Sequence, residues 1–378
     1  MYVFYMSFMC IRSGGQSTLA KINLKLTVAL TLLASAAASN LKAPEHYEKL
    51  FGQWMSDFSM TFDKAEYQER LQIFSDADDT INLHNAKNST FTMGHNEYSH
   101  LTWEEFRELK GIGQPLPPKP TLLGLSINES NKHTEAGPPP FAVNWWWDDD
   151  SGGDDDSSGG GSVDWVDSGA VTDVKDQGSC GSCWSFSTTG ALEGAYYIAN
   201  SELVAFSEQM LVECDTKDSG CNGGLMDNAF SWIQENGGLC TEEDYPYTSS
   251  GGSVSTCSSS SCTVVKGSTP SSWVDVKQSD AAMMSALDQQ PVSIAIEADQ
   301  QAFQLYSSGV MTGTCGTNLD HGVLAVGYGT MDGTDYYRVK NSWGSSWGDG
   351  GYIYLERGGN VADDGQCGML MAASYPVL

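Results

Sequence analysis

The sequence predicts an α+β fold of two lobes meeting at a cleft, preceded by a mainly helical N-terminal segment. Three observations predict it. Between residues 47 and 81 apolar side chains recur at three- and four-residue steps, the spacing of a helix face. Residues 182–198 read as a largely buried helix opening at Cys183. Later the period changes to two: Val292, Ile294 and Ile296 share one face, Leu324, Val326 and Tyr328 another, and Tyr337, Val339 and Asn341 a third. A helical half followed by a strand-rich half reads as two layers of different kind around a shared cleft.

Taken in chain order, residues 1–38 read as a secretory signal peptide with a long N-terminal extension. Lys21 and Lys25 precede the apolar run 26–33 and the small residues 34–39, the three parts of such a signal. Residues 39–113 read as the helical segment. Tyr47, Leu50, Phe51, Trp54, Met55 and Phe58 mark its first helix; Tyr67, Leu71, Phe74 and Ile81 mark its second. Glu66 and Arg70 sit four apart with the acid N-terminal, the favourable order for a helical ion pair. Residues 114–161 read as a linker. Pro115, Pro117, Pro118 and Pro120 break any helix, and aspartates at 148–150 and 154–156 lie among Ser and Gly. Three consecutive tryptophans at 145–147 are unusual there. The unit 162–378 is long enough for one catalytic domain.

Charge excludes one class of function. The 378 residues carry 19 Lys+Arg against 48 Asp+Glu, a formal charge of −29. Most of it falls in 162–378, where 7 basic face 27 acidic side chains. A surface this acidic repels phosphate backbones, so nucleic acid is not an expected partner. No apolar run reaches the roughly 18 residues of a bilayer span, so no membrane span is expected. Ten cysteines, nine of them between Cys180 and Cys367, suggest four bridges and one free thiol in an oxidising compartment.

The string from Gln177 to Phe186 (QGSCGSCWSF) concentrates the chemistry. Cys180-x-x-Cys183 admits a redox pair, half a zinc site, or one bridged and one reactive cysteine. Zinc lacks a second short pair with nearby histidines, and no βαβ pattern surrounds a redox motif. The third reading has a physical basis, because a cysteine at a helix N-terminus feels the positive end of the macrodipole, which favours thiolate. A thiolate nucleophile needs a proton acceptor, and that acceptor an orienting group. His321 is the only histidine beyond residue 133, and Asn341 follows it.

These strings, with GCNGGLMD, LDHGVLAVGYG, KNSWGSSWGDGGY and CGMLMAASYP, resemble those of the papain-like cysteine peptidases, most closely the cathepsin-L-like branch. The resemblance covers 162–378 almost end to end. It implies the papain-like fold, a helical lobe and an antiparallel β-barrel-like lobe with a cleft between. It also implies peptide-bond hydrolysis through a thioester acyl-enzyme. Cys183 would be the nucleophile, His321 its partner and Asn341 the orienting group. Gln177 and the Cys183 backbone N–H would be the oxyanion donors, and Trp343 would shield the His321–Asn341 bond. Gly223 and Gly224 would offer the edge along which substrate pairs. Leu225, Met226, Ala295, Leu319 and Ala372 would line the pocket for the side chain two residues before the cut, and Trp347 joins the substrate-binding set. All the pocket residues are apolar, which favours Leu or Phe over Arg. The pairings implied are Cys180–Cys221, Cys214–Cys257 and Cys315–Cys367, leaving Cys240–Cys262, with Cys257 and Cys262 able to exchange roles. No metal or cofactor is implied.

Residues 39–113 in turn resemble the family's inhibitory propeptide. Glu66, Arg70, Phe74, Ile81 and Asn85 fit the spaced pattern called ERFNIN, with Ala77 in place of its first Asn. Gly94, Asn96, Tyr98 and His100 fit the second propeptide pattern with Tyr for Phe and His for Asp. The expected product is a monomeric zymogen of the secretory pathway, bound for a lysosome or vacuole or for the exterior. It would act on protein and peptide substrates, with its own propeptide as intramolecular inhibitor. Acid would release it by loosening propeptide contacts, with a cut between residues 141 and 162. Sequons at Asn88 and Asn128 would mark the precursor. No histidine-bearing occluding insert is visible, which favours an endopeptidase. The competing readings are a catalytically silent inhibitor or binding protein retaining the fold, and a thiol–disulfide oxidoreductase.

Overall fold

The computed structural model describes residues 41–116, 161–313, 315–358 and 363–378. The expected signal peptide, nearly all of the linker, the three tryptophans, Asn128 and the expected cleavage region lie outside the described residues. Among the described residues no helix is long and apolar enough to cross a membrane. The chain forms two compact units, dividing between Asp79 and Thr80.

The first unit is a helical pair. α1 (Pro44–Asp57) opens on a proline, whose missing N–H costs nothing at a helix start. α2 (Lys64–Asn85) begins after Asp63, whose Oδ1 accepts from the backbone N–H groups of Ala65 and Glu66 at 2.8 and 2.9 Å. Tyr47, Phe51 and Trp54 are buried along α1, as its spacing predicts. Phe51, Trp54 and Phe74 form the core, with Tyr67 and Leu71 against it. Arg70 pairs with Glu66 at 3.2 Å along α2.

The second unit contains the rest. Its first elements are β1 (Phe91–Met93) and α3 (Trp103–Lys110). Asn88, the first sequon residue, is exposed at a left-handed turn (φ 49°) ahead of β1. α3 carries a full capping box: Thr102 accepts from the Glu105 N–H while Glu105 accepts from the Thr102 N–H. It stops at Gly111, whose φ of 66° only glycine adopts without strain. Three helices follow: α4 (Cys183–Asn200), α5 (Glu208–Cys214) and α6 (Met226–Asn236). They enclose one core around Trp184, Leu192, Phe206 and Phe230.

The strand-rich half contains β3 (Ser272–Asp275), β4 (Val292–Ile296), β5 (Tyr306–Met311), β6 (His321–Met331), β7 (Thr334–Lys340), β8 (Tyr352–Glu356) and β9 (Ala373–Val377), with the short helices α7 (Asp280–Leu287) and α8 (Gln301–Leu305). The sheet order is β1-β5-β8-β7-β6-β4-β9-β3, and β2 (Val163–Asp164) pairs onto β6. Every pairing is antiparallel except β5 with β8. This half has its own core, to which Phe91, Tyr98, Phe106 and Ile112 also belong. The helical segment expected as one piece over 39–113 therefore divides: from residue 80 onward it adds a strand and four core side chains to the second unit.

Where the lobes meet, α4 lies against β4 and β6. Ser187 Oγ donates to the Val323 carbonyl at 2.7 Å, and Ser293 Oγ donates to the Ser187 carbonyl at 2.8 Å. α4 is buried from Cys183 through Tyr196, which explains why its sequence lacks an amphipathic stripe. Four disulfides tie the unit, Cys180–Cys221, Cys214–Cys257, Cys240–Cys262 and Cys315–Cys367. Among the described residues Cys183 is the free cysteine.

Candidate active site

His321 opens β6, and Asn341 follows the last residue of β7. Because β6 and β7 are paired, residues twenty apart in sequence come together: His321 Nε2 and Asn341 Oδ1 are 2.7 Å apart. An amide oxygen only accepts, so Nε2 carries the proton and Nδ1 is the free base. That Nδ1 is buried and has no hydrogen-bond partner among the described residues. Asn341 Oδ1 also accepts from the Ser342 N–H at 2.8 Å, which fixes the amide. Trp343 stacks on the imidazole at 4.8 Å and is fully buried, so water is kept from the His321–Asn341 bond. Trp347 stands edge-on to Trp343 at 5.0 Å and donates its indole N–H to the Phe303 carbonyl at 2.7 Å, buried within the strand-rich core.

Cys183 is the first residue of α4. The residue after His321 brings the strand to it: a Cβ on Gly322 would stand 3.2 Å from Trp184 Cα, and the Gly322 amide reaches the Cys183 thiol. Gln177 is held beside them. Its N–H donates to the Ser342 carbonyl at 2.9 Å and its Oε1 accepts from Ser342 Oγ at 2.7 Å. Its Nε2 donates to the Cys180 carbonyl at 3.0 Å and to the Lys110 carbonyl at 3.4 Å. The side-chain donor expected to meet an oxyanion thus meets a carbonyl of the N-terminal segment.

The segment after α3 continues across this site. Gly111 lies against Gly181, where a Cβ would come within 3.2 Å of Cα. Gly113 donates its N–H to Asp320 Oδ2 at 2.9 Å, and Leu116 donates its N–H to the Leu319 carbonyl at 2.8 Å. Residues 110–116 therefore touch the strings that precede both Cys183 and His321. They are anchored by Tyr98, whose hydroxyl donates to the Trp343 carbonyl at 2.8 Å, and by ion pairs of Lys110 with Asp176 and Arg107 with Asp299, both at 3.1 Å.

This cover sets the electrostatics. Cys183 is only 6% exposed, and burial pushes its thiol up to about 11 against the opposing pull of the Gly322 and Trp184 amides. Burial also pushes His321 down to about 4; the Asn341 bond opposes this, while the Lys110 charge adds to it. The helix terminus alone favours thiolate, but in the covered site desolvation wins and both groups are neutral. A thiol at about 11 is roughly 10⁻⁴ ionised at pH 7, so alkylation should be slow. Iodoacetamide is expected to label Cys183 of the intact precursor at least about tenfold more slowly than the processed chain, since thiolate is the reactive form. Equal rates, read by mass spectrometry of the Cys183 peptide, would contradict this account.

Trp347 thus belongs to the strand-rich core, whereas four others of the expected substrate-binding set share the core around Trp184. Gly223 (φ 102°) and Gly224 follow Cys221, and a Cβ on Gly224 would stand 2.6 Å from the Trp184 ring. Asp218 Oδ1 fixes the next residue by accepting from the Leu225 N–H at 2.9 Å. Leu225 and Met226 are buried at the start of α6. Ala295 on β4 donates its N–H to the Ala372 carbonyl at 3.0 Å. Met226 and Ala295 belong to the helical-lobe core, with Leu319, Ala372 and Leu116 packed at its margin. Sequence reasoning missed Ser342, which grips Gln177, although it stands inside the Asn341-Ser-Trp343 string. It also missed α3, for which Thr102-x-x-Glu105 was the available signal.

The chain matches the papain family cysteine protease domain over residues 160–377 and the cathepsin propeptide inhibitor domain over residues 51–106. The probable cysteine protease RD21B of Arabidopsis thaliana is 43% identical over 89% of this chain and 68% of its own length. Among solved structures, the proform of the ragweed pollen allergen Amb a 11, a cysteine protease, superposes with a TM-score of 0.72 at 31% identity, covering 91% of this chain and 98% of that one. The Carica candamarcensis cysteine protease CMS1MS2, solved in complex with E-64, gives a TM-score of 0.53 at 40% identity, covering 57% of this chain and 97% of that one.

Proposed function

The chain belongs to the papain family of cysteine proteases and carries that family's propeptide inhibitor domain, and from this premise we propose that Cys183, His321, Asn341 and Gln177 do its chemistry. The observation that carries the proposal is the Gln177 side chain, donating to the Lys110 and Cys180 carbonyls, while Asn341 fixes His321 next to Gly322, whose amide reaches the Cys183 thiol. In the uncovered site the Cys183 proton passes to His321 Nδ1. The thiolate attacks the substrate carbonyl carbon, and the carbonyl electrons move to an oxyanion held by Gln177 Nε2 and the Cys183 N–H. The C–N bond breaks as His321 gives its proton to the leaving amine, leaving a thioester. Water, deprotonated by His321, then displaces the thiolate and releases the acid.

The enzyme is read as a monomeric endopeptidase. The propeptide lies in the same chain, so inhibition is intramolecular. The unit boundaries proposed are 1–38 for the signal peptide with its N-terminal extension, 39–113 for the propeptide, 114–161 for the linker within which the chain is cut, and 162–378 for the peptidase. The signal, the four disulfides and the Asn88 sequon together support a route through the secretory pathway, ending in a vacuole or lysosome or outside the cell. Titration of the activated chain with E-64, which CMS1MS2 binds, tests the site: one equivalent should abolish activity and modify Cys183. A chain that folds but consumes no inhibitor would instead be a silent relative.

Met226, Ala295, Leu319 and Ala372 support a preference for bulky apolar residues two positions before the cut. Placing a guanidinium among them without an acid costs on the order of several kcal/mol. Fluorogenic peptides with Phe or Leu at that position are therefore expected to exceed the Arg counterpart in kcat/KM by about 10²-fold or more, each 1.4 kcal/mol being a factor of ten. Equal kcat/KM would show that the pocket is wrongly assigned.

A further inference from the structure

Tyr247 is used by neither the mechanism nor the propeptide, yet its hydroxyl bonds to two points of the Gln177–Phe186 string, a backbone carbonyl and a serine hydroxyl. It donates to the Gln177 carbonyl and pairs with Ser182 Oγ, each at 2.8 Å. A carbonyl only accepts, so the single phenolic proton goes to Gln177; Ser182 Oγ–H, which also faces the Cys180 carbonyl at 3.5 Å, gives its proton to the closer Tyr247 oxygen at 2.8 Å. The relay thus runs Ser182 Oγ–H to Tyr247 O–H to the Gln177 carbonyl.

Its two ends matter. Gln177 carries the side-chain oxyanion donor. Ser182 precedes Cys183, whose N–H is the backbone donor. Ser342 fixes the Gln177 N–H and Oε1, and Gln177 Nε2 meets the Cys180 carbonyl at 3.0 Å; the Tyr247 relay adds a link from the Gln177 carbonyl to Ser182, the residue next to Cys183. Tyr247 is itself held: its N–H donates to Glu242 Oε1 at 2.7 Å, and its ring stands edge-on to Phe186 of α4 at 4.9 Å.

We propose that Tyr247 is a positioning residue of the oxyanion hole, its hydroxyl setting the spacing between the Gln177 side-chain donor and the Cys183 backbone donor. The proposal rests on the reading of those two groups as the donors. It differs from a structural role because the ring already packs on Phe186 without the hydroxyl, so Tyr247→Phe removes the relay and keeps the packing.

The test uses the activated, active-site-titrated enzyme with a fluorogenic amide substrate. Tyr247→Phe is expected to lower kcat about tenfold with KM within about twofold, the pattern of an interaction made in the transition state. Iodoacetamide should alkylate Cys183 at a rate within about twofold of wild type, because the thiol–imidazole pair is untouched. Gln177→Ala should cost about 10²-fold in kcat. Adding Tyr247→Phe to Gln177→Ala should then cost less than about threefold more, since residues acting through one another are not additive. Ser182→Ala, which breaks the other end of the relay, gives an independent variant with an expected loss of about threefold or more in kcat at unchanged KM. An unchanged kcat in Tyr247→Phe, a raised KM at constant kcat, or the full penalty repeated in the Gln177→Ala background would overturn the proposal while leaving the donor assignment standing. An unchanged kcat in Gln177→Ala would defeat the donor assignment itself, and Tyr247 with it.

Discussion

Replacing Cys183 by alanine is expected to abolish peptide hydrolysis, by about 10⁴-fold or more, while leaving a folded precursor of full length. The activity loss follows from chemistry, since among the described residues no other thiol is free and the other eight cysteines are bridged. The survival of the fold follows from placement. Cys183 is the first residue of α4, its sulfur makes no disulfide, and alanine is the best helix former. The Cys183→Ala precursor should therefore unfold within a few degrees of wild type and stay uncut at acid pH unless active enzyme is added. Hydrolysis of a fluorogenic peptide within tenfold of wild type would sink the assignment of the nucleophile.

The candidate site is legible in sequence because its parts sit in short strings whose residue types have few other uses together. Cys183 follows a bridged cysteine by three, His321 has no rival beyond residue 133, and Asn341 lies in a Ser/Trp/Gly-rich string. The strand periods placed β4 at Val292–Ile296 and found parts of β6 and β7. Less legible were α5 and α6, whose cores are filled from several directions, so that their apolar residues follow no single stripe. The division of the helical segment at Asp79 could not be read either. Phe91, Tyr98, Phe106 and Ile112 are spaced without period because they do not share a helix face; each enters the second unit from a different local structure. The raised Cys183 thiol was also out of reach, because it depends on burial by residues far from Cys183 in sequence, the Gly322 end of β6 among them.

Phe106→Ala in the propeptide is expected to give a precursor that is active before it is cut. Phe106 is fully buried on α3, edge-on to Trp343 at 5.1 Å and beside Tyr98 at 5.3 Å. Trp343 in turn stacks on His321, so the ring that anchors the propeptide packs on the residue that shields the His321–Asn341 bond. Truncating a buried phenylalanine costs ~3–5 kcal/mol, and here the loss falls on the attachment of α3 to the strand-rich core. α3 positions Lys110, Gly111 and Gly113, which contact Gln177, Gly181 and Asp320 in the strings that precede Cys183 and His321. A loosened α3 should uncover Cys183 for part of the time. A deficit of ~3 kcal/mol corresponds to about 10²-fold in the covered-to-uncovered ratio. At pH 7 the Phe106→Ala precursor should therefore label with iodoacetamide and hydrolyse a fluorogenic peptide well before any cleavage appears on a gel, at about 10²-fold the wild-type precursor rate. Phe106→Leu, which keeps most of the apolar volume, should show a much smaller rise. Wild-type latency in the Phe106→Ala precursor would mean that residues 110–116 hold the site by their own contacts, without the anchor on Trp343.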